Sequence, residues 1–211
     1  MRTIGLIAAT IIVAGFAFTQ EKSREQSKYA GIFDQVDSLA GFADSFPPDI
    51  DPDDSLQVKA AKAFFHSVVD RLEKVLAEDP DNAELEGCLG DVYRMGHNID
   101  VGGGVWDKAE KHTKRAIDLD PSAPRPYFSL GLLYVNTDFK YAPEAEKMFR
   151  RAIELSPEGS IPYAYNGLAF AYYHQGKVEE AVMALDILLS FQPDDKTAKR
   201  MRTIAITKLK Q

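Results

Sequence analysis

A chain of 211 residues, 45% hydrophobic and 27% charged, is large enough for one folded unit with accessories. Its net charge of −7 argues against a nucleic-acid partner, because such binding rests on lysine and arginine meeting phosphate. The lone cysteine, Cys88, rules out an internal disulfide, and beside Leu89-Gly90 on a predicted helix it suits a small packing residue. The charge is unevenly spread. Tyr29 to Tyr93 holds 15 acidic and 4 basic residues, whereas Arg94 to Gln211 holds 15 acidic and 17 basic ones.

Residues 1–20 read as a signal peptide or an N-terminal anchor. One basic residue, Arg2, precedes an apolar run from Ile4 to Phe18, which Thr19-Gln20-Glu21-Lys22 ends. Gly15 and Ala17 offer small residues for cleavage, and the run falls short of the roughly 20 apolar residues of a membrane span. Both readings place the remainder outside the cytoplasm, as a periplasmic or extracellular protein or one held at the membrane through Ile4–Phe18. Residues 21–54 are expected to form a linker with an amphipathic helix. Its stripe, Tyr29, Ile32, Phe33, Val36, Leu39, Phe42, Ala43 and Phe46, advances in helical steps, although Gly31 and Gly41 weaken it. Three roles stay open for this helix: packing on the first repeat, docking a partner, or filling the protein's own groove.

Phe46 to Asp54 is rich in proline and aspartate and breaks the helix. An EF-hand would need glycine and a late acidic ligand where Asp54 and Ala60 stand, so the segment reads as an acidic turn with a helix N-cap. Ser55 to Glu78 follows as one long amphipathic helix, ended by Asp79-Pro80.

Three helix pairs are expected next, over residues 83–121, 124–157 and 162–193. The third is the most regular. Tyr165, Leu168, Ala169 and Tyr172 recur at i, i+3, i+4 and i+7 on one helix face. Gly176 marks the reversal, Ala181 and Leu185 face back from a second helix, and Pro193 stops it. The second pair carries Tyr127, Leu130-Gly131 and Tyr134, then Ala145, Phe149 and Pro157. The first keeps Leu89-Gly90, Tyr93, Ala109 and Pro121, with Glu86 and Thr113 at places where large apolar residues are usual. Between its helices, Arg94 to Val105 reads as a flexible insertion or a functional loop. Its Gly102-Gly103-Gly104 lacks the lysine and the preceding strand of a phosphate-binding loop. Trp106 is expected at the base of that loop. A basic helix over residues 194–210 closes the chain.

These motifs resemble the tetratricopeptide repeat (TPR). Pro80, Pro121, Pro157 and Pro193 are spaced 41, 36 and 36 residues apart, near the TPR period of about 34. The resemblance covers residues 55–211 and implies an all-α fold: an α-solenoid of about three helix pairs flanked by capping helices, with Ser55–Glu78 as a second helix lacking its first. It also implies a right-handed superhelix whose concave face is lined by the first helix of each pair. On that face it places Glu84, Gly87, Asp91 and Arg94, then Arg125, Phe128, Leu132 and Val135, then Tyr163, Asn166, Phe170, Tyr173 and His174. Partner binding is expected at Arg125, Phe128, Leu132, Val135, Tyr163, Asn166, Phe170 and Tyr173. Because much of that set is apolar, the expected partner is a hydrophobic or aromatic-rich peptide or helix.

No catalytic constellation is visible. His66, His97, His112 and His174 fall on separate elements without metal-ligand spacing, so no catalytic residue, metal or cofactor is expected. The expected function is therefore an exported, non-catalytic scaffold or adaptor. The alternative is a structural subunit of a membrane-associated complex or homo-oligomer, packed through the N-terminal segment.

Overall fold

A computed structural model describes residues 29–44, 48–157 and 161–210. The expected leader at 1–20, the start of the linker, Phe46 and the short insert at 158–160 lie outside these residues. Among the described residues the chain is all-α, with nine α-helices and one 3₁₀ turn.

The helices are α1 (Ala30–Ala43), α2 (Ser55–Glu78), α3 (Ala83–Asn98), α4 (Val105–Leu119), α5 (Pro124–Thr137), α6 (Ala142–Leu155), α7 (Pro162–His174), α8 (Val178–Phe191) and α9 (Lys196–Leu209), with the 3₁₀ turn Phe139–Tyr141 before α6. Local chemistry sets their starts. Asp54 accepts from the Leu56 and Gln57 amides, and Asn82 from those of Glu84 and Leu85. Proline stands in the first turn of α5, α6 and α7, where its missing donor costs nothing. The turn from α7 to α8 passes through Gly176 at φ 80°, a conformation that any Cβ would oppose.

The hairpins α3–α4, α5–α6 and α7–α8 stack in order, each second helix against the next first helix, and successive first helices touch. The α1 helix corrects one expectation. It packs on α2 and α3 as α3 packs on α4 and α5, so Ser55–Glu78 does not lack its first helix. Phe42 and Phe64 approach at 6.4 Å, and the Tyr29 hydroxyl donates to Asp79 at 2.9 Å. A leading hairpin, with the acidic turn as its connection, thus precedes the three expected pairs. At the other end α9 buries Ala198, Met201 and Ala205 towards α8. It closes the array.

The core runs continuously from Ile32 to Met201. A tight joint lies at Phe149 of α6, which is fully buried between Gly131 of α5 and Gly167 of α7, with Phe128 edge-on at 5.9 Å. The irregular first pair is explained by two local substitutions. Thr113 stands where the other pairs hold a large residue, and it lies so close to Gly90 that a Cβ there would fall 2.9 Å from the Thr113 amide nitrogen, so the backbones of α3 and α4 meet where Phe149 holds those of the second pair apart. Glu86 is buried but pairs with His112 at 2.6 Å. The tyrosine that ends each signature reaches back to the preceding hairpin. Tyr93 donates to Glu73 of α2 at 2.7 Å and Tyr134 to Glu110 of α4 at 2.8 Å, while Tyr172 lies against Arg150 of α6.

The insertion between α3 and α4 is shorter than expected. Helix α3 continues to Asn98, leaving only residues 99–104, where Asp100, Gly102, Gly103 and Gly104 all have positive φ. Trp106 packs beyond it, stacked on Tyr141 at 5.8 Å, with its indole N–H donating to Thr137 at 2.8 Å.

Candidate functional site

The face formed by the first helices divides into two halves of different chemistry. Its leading half is closed by a chain of buried charges. Arg94 of α3 pairs with Asp44 at the end of α1, and Asn98 donates to the carbonyls of Ala43 and Asp44 at 3.0 and 3.3 Å. One turn earlier on α3, Asp91 accepts from Arg125 of α5 at 2.9 Å and lies 3.6 Å from Arg94. Burial alone would raise the pKa of Asp91. Arg125 and Arg94 outweigh it and, with a hydrogen bond from Ser129, hold the carboxyl below its ordinary value of 3.8. The Arg94 guanidinium is likewise pushed up, because Asp44 and Asp91 overcome its desolvation. Asp44, Asp91 and Arg94 are each at most 9% exposed.

Several expected lining residues therefore move to the interior. Asp91 and Arg94 lie inside the ion chain, and Arg125 is half-buried against Asp91. Phe128, Leu132 and Val135 are 3%, 2% and 7% exposed, so their side chains offer no free surface, and the greasy lining expected from the second pair is corrected. The reason is size: hairpins stacked on glycine let Phe128 turn inwards onto Phe149. Asn166 is also buried, at 2% exposed, with its Oδ1 lacking a hydrogen-bond partner.

The trailing half stays open. Tyr163, Phe170 and Tyr173, all expected at the surface, are half-buried there. Phe170 and Tyr173 join a ring cluster with His174 and Phe139. Phe139 stacks on His174 at 3.8 Å and 6°, Phe170 lies 4.4 Å from His174 and 6.1 Å from Phe139, and Lys208 of α9 sits 4.3 Å over Tyr173. Phe139 is 55% exposed, the most exposed aromatic ring among the large apolar side chains of the described residues. Burial and then Lys208 lower the pKa of His174, so its ring is neutral near pH 7. Sequence reasoning missed Phe139 and Lys208. The available signal was an aromatic residue placed in the over-long turn from Asn136 to Pro143, where no repeat position demands one.

No protein-family model matches this sequence, and no curated protein does. Solved structures do. One crystal structure of MamA superposes with a TM-score of 0.60 at 26% identity, covering 74% of this chain and 84% of that one. A second MamA structure gives 0.54 at 22% identity, covering 84% and 90%. The thermophilic TPR protein TTC0263 of Thermus thermophilus gives 0.57 at 16% identity, covering 93% and 97%. The chain has the tetratricopeptide-repeat fold. The TPR neighbours support a protein-interaction scaffold in general terms, a class that is typically non-catalytic.

Proposed function

We propose that this TPR protein is an exported adaptor that captures an apolar, aromatic-bearing segment of another protein on the trailing half of its inner face. The ring cluster of Phe139, Phe170, Tyr173 and His174 carries this reading. An exposed phenylalanine stacked face to face on a neutral imidazole is a platform for a further ring or aliphatic side chain. Aromatic anchors of this kind carry much of the energy in protein interfaces. Burying one phenylalanine contributes roughly 1.5–3 kcal/mol, so two or three such contacts approach the roughly 8 kcal/mol of a micromolar complex once ordering costs stay small.

Export rests on the apolar run Ile4–Phe18 and its polar flank, and either cleavage or anchoring is compatible with an adaptor working outside the cytoplasm. The test uses an immobilised peptide library. Selected ligands should share aromatic or branched aliphatic residues, and Phe139→Ser combined with Phe170→Ser should abolish capture while the melting temperature stays within a few degrees of the parent. Capture that survives this double variant refutes the assignment. Sequencing the mature N-terminus of the protein from cell envelopes tests export, and recovery only from the cytoplasm would overturn that part.

A further inference from the structure

The two ends of the array carry opposite charge on exposed surface. At the leading end, Asp34 on α1 and Asp49, Asp51, Asp53 and Asp54 in the following turn are all exposed, and no lysine or arginine lies between Tyr29 and Asp54. None of these five carboxylates forms an ion pair among the described residues. At the trailing end, α9 and the residue that follows it hold Lys196, Lys199, Arg200, Arg202, Lys208 and Lys210, with no acid among them. The helix turns Ala198, Met201 and Ala205 inwards, while Lys196, Arg200 and Lys210 stand exposed on the opposite side at spacings of four and ten residues, without ion pairs. That outer side of α9 is the face on which a further hairpin would stack in a longer array. Each end also exposes one leucine, Leu56 at 76% and Leu209 at 46%.

We infer that a second copy of this chain docks its acidic leading hairpin on the basic outer face of α9, extending the array head to tail. Such a contact is heterologous: the two surfaces differ, so every added copy leaves a free end of each kind. Association then continues beyond a dimer unless the curvature closes a ring. Charge drives it, so it weakens as salt shortens the screening length from about 10 Å at 0.1 M to about 3 Å at 1 M. This contact lies outside the ring cluster and is independent of the adaptor reading.

The test is sedimentation of the full chain at low and high salt. The weight-average mass should rise with concentration at 50 mM NaCl and fall towards the 23.4 kDa chain at 1 M. Reversing the trailing end (Lys196→Glu, Arg200→Glu, Lys210→Glu) or the leading end (Asp49→Lys, Asp51→Lys, Asp53→Lys) should each weaken association by at least about tenfold. Mixing the two variants should restore it, because one then has two acidic ends and the other two basic ends. A wild-type chain that stays monomeric at low salt, or association that survives either reversal, overturns the inference. So does an α9-dependent binding to anionic phosphatidylserine vesicles without self-association, which would assign the basic end to a membrane surface.

Discussion

The Phe149 joint offers the sharpest test of the register. A Cβ added to Gly167 would lie 2.6 and 2.7 Å from Cε1 and Cε2 of Phe149, and nearer still to Cζ. Carbon atoms in contact prefer about 3.5–4.0 Å, so relief requires a shift of roughly 1 Å. The ring has nowhere to go, because Gly131 faces it from the other side, where an added Cβ would sit 2.8 Å away, and Phe128 blocks its edge. Overpacking of this kind costs about 1–3 kcal/mol, and replacing glycine by alanine within a helix returns up to about 1 kcal/mol. With three ring atoms inside the clash the upper end applies, so Gly167→Ala should destabilise by about 2 kcal/mol net. For a chain of this length that lowers the melting temperature by about 4–8 °C. Gly41→Ala is the internal control. Nothing lies within 4 Å of its added Cβ, so it should raise the melting temperature by a few degrees. Circular-dichroism melts measure both, and Phe149→Leu in the Gly167→Ala background should recover part of the loss. A Gly167→Ala chain that melts at or above the parent would mean that α6 and α7 do not meet at Phe149.

Three further outcomes follow from named contacts. Arg94→Met leaves Asp44 and Asp91 buried without their shared cation, and the loss should be about 3–5 kcal/mol, with faster amide exchange in Ala30–Ala43. Retained protection there would show that α1 is held by packing alone. Ala181→Trp forces a large ring into a fully buried helix crossing and should abolish cooperative unfolding, whereas a normal melt would contradict the third repeat's register. His174 has a folded-state pKa below its ordinary 6.5, so its contribution is complete above pH 6.5 and is lost as pH falls through the lower folded value. The melting temperature should therefore drop from pH 7.5 to pH 5, and His174→Phe should flatten that dependence. An unchanged slope in the variant would exclude His174 as its source.

The sequence disclosed the repeat spacing, helix boundaries and capping residues because these depend on local chemistry. Ser55–Glu78 needs only Asp54 before it and Asp79-Pro80 after it. It did not disclose which side chains the inner face exposes, because that depends on how near the backbones come. Leu132 and Phe170 occupy equivalent places in their repeats, yet Leu132 is buried and Phe170 remains half-exposed. The leading hairpin was hidden for a similar reason. Tyr29–Phe46 has no TPR spacing, and its pairing with α3 rests on contacts 50 or more residues apart, Arg94 with Asp44 and Asn98 with Ala43.

The buried ion chain gives the inner face its asymmetry, and with it a reason for the array to act at one end. Asp44, Arg94, Asp91 and Arg125 join α1, α3 and α5 through charged groups that tolerate no unpaired member, because removing one strands its neighbour in a low-dielectric interior. A partner entering the leading half would have to break that chain and leave a charge uncompensated. A partner of the proposed kind entering the trailing half would meet rings that lose little on being covered, and the ammonium of Lys208, already seated over Tyr173, could keep its hydration at the edge of the contact. The proposed capture surface therefore lies at α7 and the Phe139 turn even though every first helix contributes to the same face, and the polar half fixes the positions of the hairpins against which that surface is built.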